Sequence, residues 1–422
     1  MDNPDYRARV IDTTVEQYLQ TFGAVCIEGP KWSGKTWTAT KHAKSVYFVG
    51  DPAGNFQNRT LAQLDPSTVL EGQIPRLIDE WQEVPALWDA VRFKVDQNPA
   101  KGQYILTGSA TPSQKGILHS GTGRIARLRM MTMSLFESGD SSGLVSLKEI
   151  CEGNSFKTIL TEEVSLKTIA SLILRGGWPA SIGLPTHQAV LVPAMYLNNV
   201  IYEDMDRIDN QKRNKDKLRL LLRSLARNES TTAGMKTLER DMMDVDRQTI
   251  DKNTVLDYLD VLARLFIIEN QKPFALSLRS SQHVRKAEKR HFTDPSFTCS
   301  LLGIRQEERL IGDLETFGFL FEALCIRDLK IYAQSFGGQV YHYQDYQNNE
   351  IDAVIEMADG SWSAFEIKLG AHQIDAAAEG LKRITAHFER PPTSLCVICA
   401  LSNAAYIRDD GVSVIPLTAL RP

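Results

Sequence analysis

Eight consecutive residues near the N-terminus combine glycines with a lysine and a threonine: Gly29, Pro30, Lys31, Trp32, Ser33, Gly34, Lys35 and Thr36. Glycines let backbone N–H groups turn inward on phosphate oxygens, and the start of a helix adds partial positive charge. Lys35 would neutralise the β- and γ-phosphates, and Thr36 would hold a magnesium ion. The spacing is that of a complete Walker A loop, which predicts binding of ATP with Mg²⁺.

The residues on either side of this loop have the patterns that such a loop requires. Residues 22–27 form a short apolar run that predicts a buried strand, and residues 36–44 predict a helix. An amphipathic helix is expected before the strand, over residues 10–22. Strand, glycine loop and helix in this order are the expected context of a phosphate-binding loop.

Two acidic residues, Asp79 and Glu80, follow the apolar pair Leu77 and Ile78. A carboxylate at the end of a strand is placed to hold the magnesium shell, which is the Walker B position. The neighbouring Glu80 would orient and activate the attacking water. The alternative is a solvated strand exit with no catalytic role.

A further strand is predicted over residues 103–109 and ends in small polar residues. In a phosphate-loop sheet it lies between the strands that precede the two motifs above, so Thr107 or Ser109 would reach the γ-phosphate or the water. The alternative is a strand that runs into an ordinary turn. Beyond it, Arg124 precedes a strand on which Arg127 and Arg129 share one face.

These pieces together resemble the AAA-type ATPase domain of a bacterial and archaeal family, over residues 20–138. The chain-wide resemblance also includes the Gly-Gly-Trp-Pro turn at 176–179 and an uncharacterised C-terminal domain. It implies that Ser109 takes a sensor position and that Arg124 reaches the γ-phosphate bound by a neighbouring subunit, and hence a homo-oligomer. The alternative for the arginines is that they solvate an edge strand.

Composition sets limits on partners and location. The net charge is −4, so any DNA-binding surface must be local. The six cysteines are scattered among apolar neighbours, and no apolar run reaches membrane-spanning length. The N-terminus has no signal-peptide pattern, so we expect a cytoplasmic protein without a membrane partner.

The middle of the chain predicts helices and a basic surface. Residues 140–212 are expected to form a helical lid that includes a long helix over 187–208. Residues 213–293 are expected to form a winged helix-turn-helix, in which Thr249 or Asp251 caps the recognition helix. A basic stretch would contact DNA phosphates, and it contains Arg207, Lys212, Arg213, Lys215, Lys217, Arg219, Arg223 and Arg227. The alternatives are a protein-binding module and a solvated helix face.

The last part of the chain, 294–422, has an order of elements that resembles the PD-(D/E)XK nuclease fold. Glu322 lies in a predicted helix, Asp352 in a strand, and Glu366 and Lys368 two residues apart in the next strand. A three-residue hairpin loop at 358–360 would put Asp352 opposite Glu366. Asp352 and Glu366 would then hold Mg²⁺, Glu322 would add or orient a ligand, and Lys368 would position the attacking hydroxide. A two-residue turn would instead put Asp352 on the wrong face.

The expected fold class is α/β, with an AAA-type P-loop NTPase core (1–139), the lid, the winged helix and the nuclease-like domain. The expected function is ATP hydrolysis coupled to a DNA-directed, magnesium-dependent nuclease-like domain. The alternative is a nucleotide-gated switch that binds DNA or protein through a catalytically silent nuclease fold.

Overall fold

The computed structural model describes residues 6–111, 119–209, 211–246, 251–275 and 287–422. The chain folds into two compact units. Unit 1 comprises Met1–Thr132, Tyr202–Arg213 and Asp260–Ile267, and unit 2 comprises Met133–Ile201, Asn214–Leu259 and Ile268–Pro422. Thr249, one of the two predicted caps, lies outside the described residues. Among those residues, no helix combines the length and the apolar character needed to cross a membrane.

The α-helices are, in chain order, α1 (Asp12–Thr21), α2 (Lys35–His42), α3 (Ala53–Leu64), α4 (Pro66–Val69), α5 (Ala86–Gln97), α6 (Leu135–Ser138), α7 (Leu147–Cys151), α8 (Leu166–Arg175), α9 (Thr186–Ala189), α10 (Leu191–Asn199), α11 (Met205–Arg207), α12 (Lys215–Arg227), α13 (Met235–Asp246), α14 (Lys252–Arg264), α15 (Pro295–Leu302), α16 (Glu307–Ile311), α17 (Leu314–Ser335) and α18 (Ile374–Thr385).

The strands are β1 (Ala24–Glu28), β2 (Ser45–Phe48), β3 (Arg76–Asp79), β4 (Tyr104–Gly108), β5 (Ile125–Arg129), β6 (Val145–Ser146), β7 (Ile159–Leu160), β8 (Lys272–Pro273), β9 (Gln339–Gln344), β10 (Glu350–Glu356), β11 (Trp362–Lys368), β12 (Leu395–Cys399), β13 (Ala404–Ile407), β14 (Ser413–Pro416) and β15 (Leu420–Arg421).

Unit 1 is built on a five-stranded sheet with the order β2-β3-β4-β1-β5, and its strand pairs are parallel. Both faces of the sheet are covered by apolar cores, one around Trp81 and Trp88 and the other around Val15 and Val25. This explains why β1 and β4 are buried at every position and are mostly apolar. The predicted position of β4 between β1 and β3 is confirmed.

Unit 2 contains an eight-stranded mixed sheet with the order β7-β13-β14-β12-β11-β10-β9-β8. The strands β10 and β11 form the predicted antiparallel hairpin, with Ala353 opposite Phe365. Continuation of this register by one pair puts Asp352 opposite Glu366. The hairpin closes where the Met357 amide donates to the Ser361 carbonyl at 2.8 Å, so the predicted three-residue loop at 358–360 is confirmed, with Gly360 at φ 79°.

The middle of the chain differs from the sequence-based expectation at the helix over 187–208 and leaves the winged helix open. The single helix predicted over 187–208 is wrong, because the chain there divides into α9, α10, a π-helical stretch Val200–Asp204 and α11. Three helices, α12 to α14, precede the predicted wing. The residues after α14 make isolated antiparallel bridges, Ile268 with Phe292 and Gln271 with Lys289. The strand β8 then joins β9 of the large sheet, and the winged helix stays a prediction.

The Gly-Gly-Trp-Pro turn of unit 2 holds two backbone segments in close contact. The Met133 amide donates to the Gly177 carbonyl at 2.7 Å, and the Gly177 amide donates to Asp294 Oδ2 at 2.9 Å. A Cβ atom at Gly177 would lie 2.1 Å from the Met133 carbonyl oxygen. Only glycine permits this approach.

We therefore expect Gly177→Ala to lower the free energy of unfolding by roughly 1–3 kcal/mol, since the backbone must shift to relieve the overlap. Gly380→Ala is the matched control, because a Cβ atom on this residue of α18 would meet no atom within 4 Å. The control should raise stability by about 0.5–1 kcal/mol. Urea unfolding of both variants measures the difference, and equal stabilities would contradict the close-contact argument.

Candidate functional site

The loop at 29–36 links the end of β1 to the start of α2. Its path depends on two left-handed residues, Trp32 at φ 60° and Gly34 at φ 95°. A Cβ atom at Gly29 would lie 2.0 Å from the Met130 carbonyl oxygen, so the loop also begins at a position that requires glycine. Helix α2 begins at Lys35, so its N-terminus lies within the loop.

The side chains of Lys35 and Thr36, at the start of α2, both make hydrogen bonds within unit 1. Lys35 is buried, and its Nζ donates to the Pro30 carbonyl at 2.7 Å. Burial lowers the pKa of Lys35 to about 8, although the charges of Glu80 and Asp79 oppose the shift. The Thr36 hydroxyl donates to Asp79 Oδ1 at 2.8 Å. The two predicted magnesium ligands are thus in direct contact.

Glu80 is held beside Asp79 by side chains of β4 and of the turn after β3. Ser109 Oγ donates to Glu80 Oε2 at 2.7 Å, and the amide of Gln82 contacts both Glu80 Oε2 and Ser109 Oγ. The Glu80 amide donates to Thr107 Oγ1 at 3.0 Å, and that hydroxyl donates to Asp79 Oδ1 at 2.7 Å. Thr107 and Ser109 therefore position the acidic pair.

Two other contacts of the loop involve residues that are distant in sequence. Arg9 Nη1 donates to the Ser33 carbonyl at 2.7 Å, and Arg9 Nη2 donates to the Met131 carbonyl at 3.0 Å. Lys31 Nζ lies 2.6 Å from Asp204 Oδ1 at the end of the π-helical stretch. The sequence analysis missed Arg9, Gln82 and Asp204, because no local motif marks them.

The three arginines around β5 have different surroundings. Arg124 is half-exposed, and its Nε donates to Asp96 Oδ1 at 2.7 Å. Arg127 pairs with Glu28 and lies over the Trp88 ring, 4.4 Å from its centroid. Arg129 lies over the Phe266 ring at 3.8 Å. All three arginines thus contact residues of their own chain. The predicted action of Arg124 on a neighbouring subunit does not follow from these contacts.

The second candidate site lies on β10 and β11 of unit 2. Lys368 Nζ lies 2.6 Å from Glu366 Oε1 and 3.4 Å from Asp352 Oδ2, and the Ile367 amide donates to Asp352 Oδ2 at 2.8 Å. The two carboxylates and the lysine thus converge, as the hairpin register requires. Burial opposes the charge of Lys368, but Asp352 and Glu366 outweigh it and raise its pKa.

A buried lysine that the sequence analysis missed completes this cluster. Lys289 Nζ lies 2.6 Å from Glu322 Oε1, 2.5 Å from Glu350 Oε1 and 3.8 Å from Asp352 Oδ1. Burial opposes its charge, but the carboxylates of Glu322, Asp352 and Glu350 outweigh burial and raise the pKa of Lys289. No sequence signal linked Lys289 to this site, because it lies near the end of the predicted winged helix-turn-helix, outside the predicted nuclease-like domain.

The two sites differ in how well a magnesium ion fits their residues. At the first, a hydroxyl and a carboxylate meet beside the phosphate loop, and Mg²⁺ commonly needs few protein ligands when phosphates and waters complete its shell. At the second, ammonium groups lie among the carboxylates. Within the described ranges, no group of three or more His, Cys, Asp or Glu residues is arranged to hold a metal ion.

Comparison with known proteins gives a family for the first of these sites. Residues 21–138 match the sequence model of a family described as AAA domain. The match supports an AAA-type ATPase domain. ATP binding and an α/β P-loop fold are supported with it, and the matched AAA domain contains β1 to β5 and the phosphate loop.

Two further matches lie outside the AAA domain and carry no function. Residues 166–308 and 317–420 match models that are each described as a domain of unknown function, DUF8612 and DUF4143. The first of these matches runs across the boundary that we predicted between the lid and the winged helix.

Whole-chain relatives are also uncharacterised. Uncharacterized protein Rv2008c of Mycobacterium tuberculosis and Uncharacterized protein Mb2031c of Mycobacterium bovis are each 22% identical over 348 residues, which is 82% of this chain and 70% of theirs. A solved structure, the Walker-type ATPase paby2304 of Pyrococcus abyssi, is 12% identical with a TM-score of 0.43, and the similarity covers 71% of this chain and 97% of that one.

Proposed function

We propose that the protein is a cytoplasmic enzyme whose AAA domain binds ATP with Mg²⁺ and hydrolyses it to ADP and phosphate. The observation that carries this proposal is the contact of Thr36 with Asp79, next to a glutamate that Ser109 and Gln82 hold in place. These are the groups that phosphoryl transfer to water requires at one point of the sheet.

Each group has a defined role in this proposal. Lys35 leaves the Pro30 carbonyl for the β- and γ-phosphate oxygens, and the start of α2 faces the same charge. Thr36 and Asp79 hold the magnesium ion, which supplies charge neutralisation of the phosphates. Glu80 accepts a proton from the attacking water. Ser109 and Gln82 orient the Glu80 carboxylate.

We expect Lys35→Ala to abolish ATP binding or turnover, because the buried cation at the phosphates is lost. Glu80→Gln should retain binding and lose turnover, since Asp79 remains while the water loses its base. Lys44→Ala is the control, because it removes an exposed lysine just beyond α2. Phosphate release and equilibrium binding of a fluorescent ATP analogue measure both steps. Full ATPase activity in both site variants would refute the proposal.

We further propose that the AAA domain acts as a homo-oligomer in which Arg124 reaches the nucleotide of a neighbouring subunit. The support is that Arg124 is half-exposed and is held by a surface ion pair with Asp96 and by a hydrogen bond from its Nη1 to the Thr122 carbonyl at 3.2 Å. Surface ion pairs contribute little to stability. Movement of the Arg124 side chain from Asp96 to a phosphate bound by another subunit would therefore cost little free energy.

We expect a mixture of Arg124→Ala and Lys35→Ala chains to recover part of the ATPase activity that each variant lacks. The reason is that mixed interfaces pair an intact phosphate loop with an intact arginine. Arg92→Ala is the matched control, since Arg92 pairs with the same Asp96. A chain that sediments as a monomer with ATP, yet hydrolyses it, would show that Arg124 does not act in this way.

For unit 2 we propose DNA as the partner. Three arginines, Arg219, Arg223 and Arg227, are exposed along α12 at intervals of four residues, opposite its buried leucines. Residues at this spacing form one row on a helix, which suits the regular spacing of backbone phosphates. A protein partner for this face is the alternative, and it predicts no dependence on nucleic acid.

We expect replacement of these three arginines by glutamine to weaken DNA binding, and to reduce the slope of log K against log salt by up to about 3. A control with Lys148, Lys157 and Arg383 replaced by glutamine removes the same charge from exposed positions of unit 2 that are not on α12. Fluorescence anisotropy with duplex DNA at several salt concentrations gives the slopes. Equal slopes for the two triple variants would exclude this row as the DNA contact.

The nuclease-like cluster is the second part of the proposed function of unit 2. Its support is the convergence of Asp352, Glu366 and Lys368 on one side of the hairpin. The site would either cut DNA with magnesium or contribute to a domain that only binds. The choice between cleavage and binding depends on the position of Lys289 in this cluster.

A further inference from the structure

The backbone of Lys289 is fixed to the sheet that carries the acidic residues. The Lys289 amide donates to the Gln271 carbonyl, and the Gln271 amide donates to the Lys289 carbonyl, both at 2.9 Å. The side-chain amide of Gln271 donates to the Asp352 carbonyl at 3.0 Å and to the Tyr341 carbonyl at 2.8 Å. The lysine therefore belongs to the architecture of the site.

The ammonium of Lys289 lies in the space between three carboxylates, one on α17 and two on β10. It is within 2.6 Å of Glu322 on α17 and of Glu350 on β10, and its side chain is only 3% exposed. A buried ammonium requires such partners, because an unpaired charge in the interior is very costly. The buried carboxylates likewise require a positively charged partner such as Lys289.

Both oxygens of Asp352 are already engaged. Oδ1 faces Lys289 at 3.8 Å, and Oδ2 accepts from the Ile367 amide at 2.8 Å and faces Lys368 at 3.4 Å. The remaining carboxylate, Glu366, contacts Lys368. A divalent ion that bound Asp352 and Glu366 would have to displace two ammonium groups and would meet their positive charges.

We infer that Lys289 is the resident cation of the C-terminal site and takes the position that the sequence analysis gave to magnesium. The ammonium groups of Lys289 and Lys368 offset part of the charge of the four carboxylates and occupy the space among them, and the site holds no divalent metal ion. The inference rests on the proposed nuclease-like site. It assigns that site to binding without metal-dependent cleavage, so the domain contributes recognition and the AAA domain contributes hydrolysis.

The experiment is a Mn²⁺ titration of the full chain without nucleotide, followed by electron paramagnetic resonance. Wild type and Asp352→Asn should give the same isotherm, because Asp352 holds no metal. Lys289→Met should gain one Mn²⁺ ion per chain, in the range of about 10⁻⁴–10⁻³ M typical of weak carboxylate sites. Addition of Asp352→Asn to Lys289→Met should remove that ion again. Lys289→Arg keeps the charge and should behave as wild type.

The inference is overturned if wild type binds a Mn²⁺ ion that Asp352→Asn loses, or if Mg²⁺-dependent nicking of plasmid DNA by wild type disappears in that variant. If Lys289→Met does not fold, as shown by circular dichroism, the comparison of wild type with Asp352→Asn still decides the question. The salt dependence of DNA binding is measured in a separate experiment. Failure of the DNA proposal would appear there and would not change the Mn²⁺ isotherms.

Discussion

The parallel pairing of β3, β4 and β1 is the constraint on which the nucleotide site depends. Parallel strands present their carboxyl ends at one edge of the sheet, and β4 lies between the other two. The loop after β1, the acidic pair at the end of β3 and the hydroxyls at the end of β4 therefore meet, although Thr36 is 43 residues from Asp79 and Thr107 is 28 residues from Asp79 in the chain. The apolar cores on both faces keep this edge in register.

The buried lysines of the two sites have opposite electrostatic surroundings. At the AAA domain, Lys35 is buried, and its nearest acceptor is a neutral carbonyl at 2.7 Å. Burial therefore dominates and lowers its pKa, and an anionic ligand would supply the missing charge. At the C-terminal cluster, Lys289 is equally buried, but carboxylates surround it. The first arrangement is suited to phosphate, and in the second the lysine already has carboxylate partners from the chain itself.

Local sequence patterns were sufficient for much of the fold. The phosphate loop, the strands around it and the β10–β11 hairpin all follow from spacing, because glycine conformation, alternation and turn length act over a few residues. Asp352 lies in one strand, and Glu366 and Lys368 lie in the next, as predicted. The predicted helix over 187–208 failed because its apolar spacing is helical throughout, while the chain passes through a π-helical stretch at 200–204.

The sequence by itself determined the residues of the Walker A loop, because this motif is continuous and its conformation depends on neighbouring backbone groups. It also placed Glu366 and Lys368 on one face, since strand alternation decides that locally. The position of Asp352 opposite Glu366 depended on the turn length, which the structure decided. Only the tertiary structure decided that Arg9 pins the loop, that Gln82 and Ser109 hold Glu80, and that Lys289 enters the acidic cluster. These contacts join segments that no local period connects, and the charge balance of a buried site depends on all of them together.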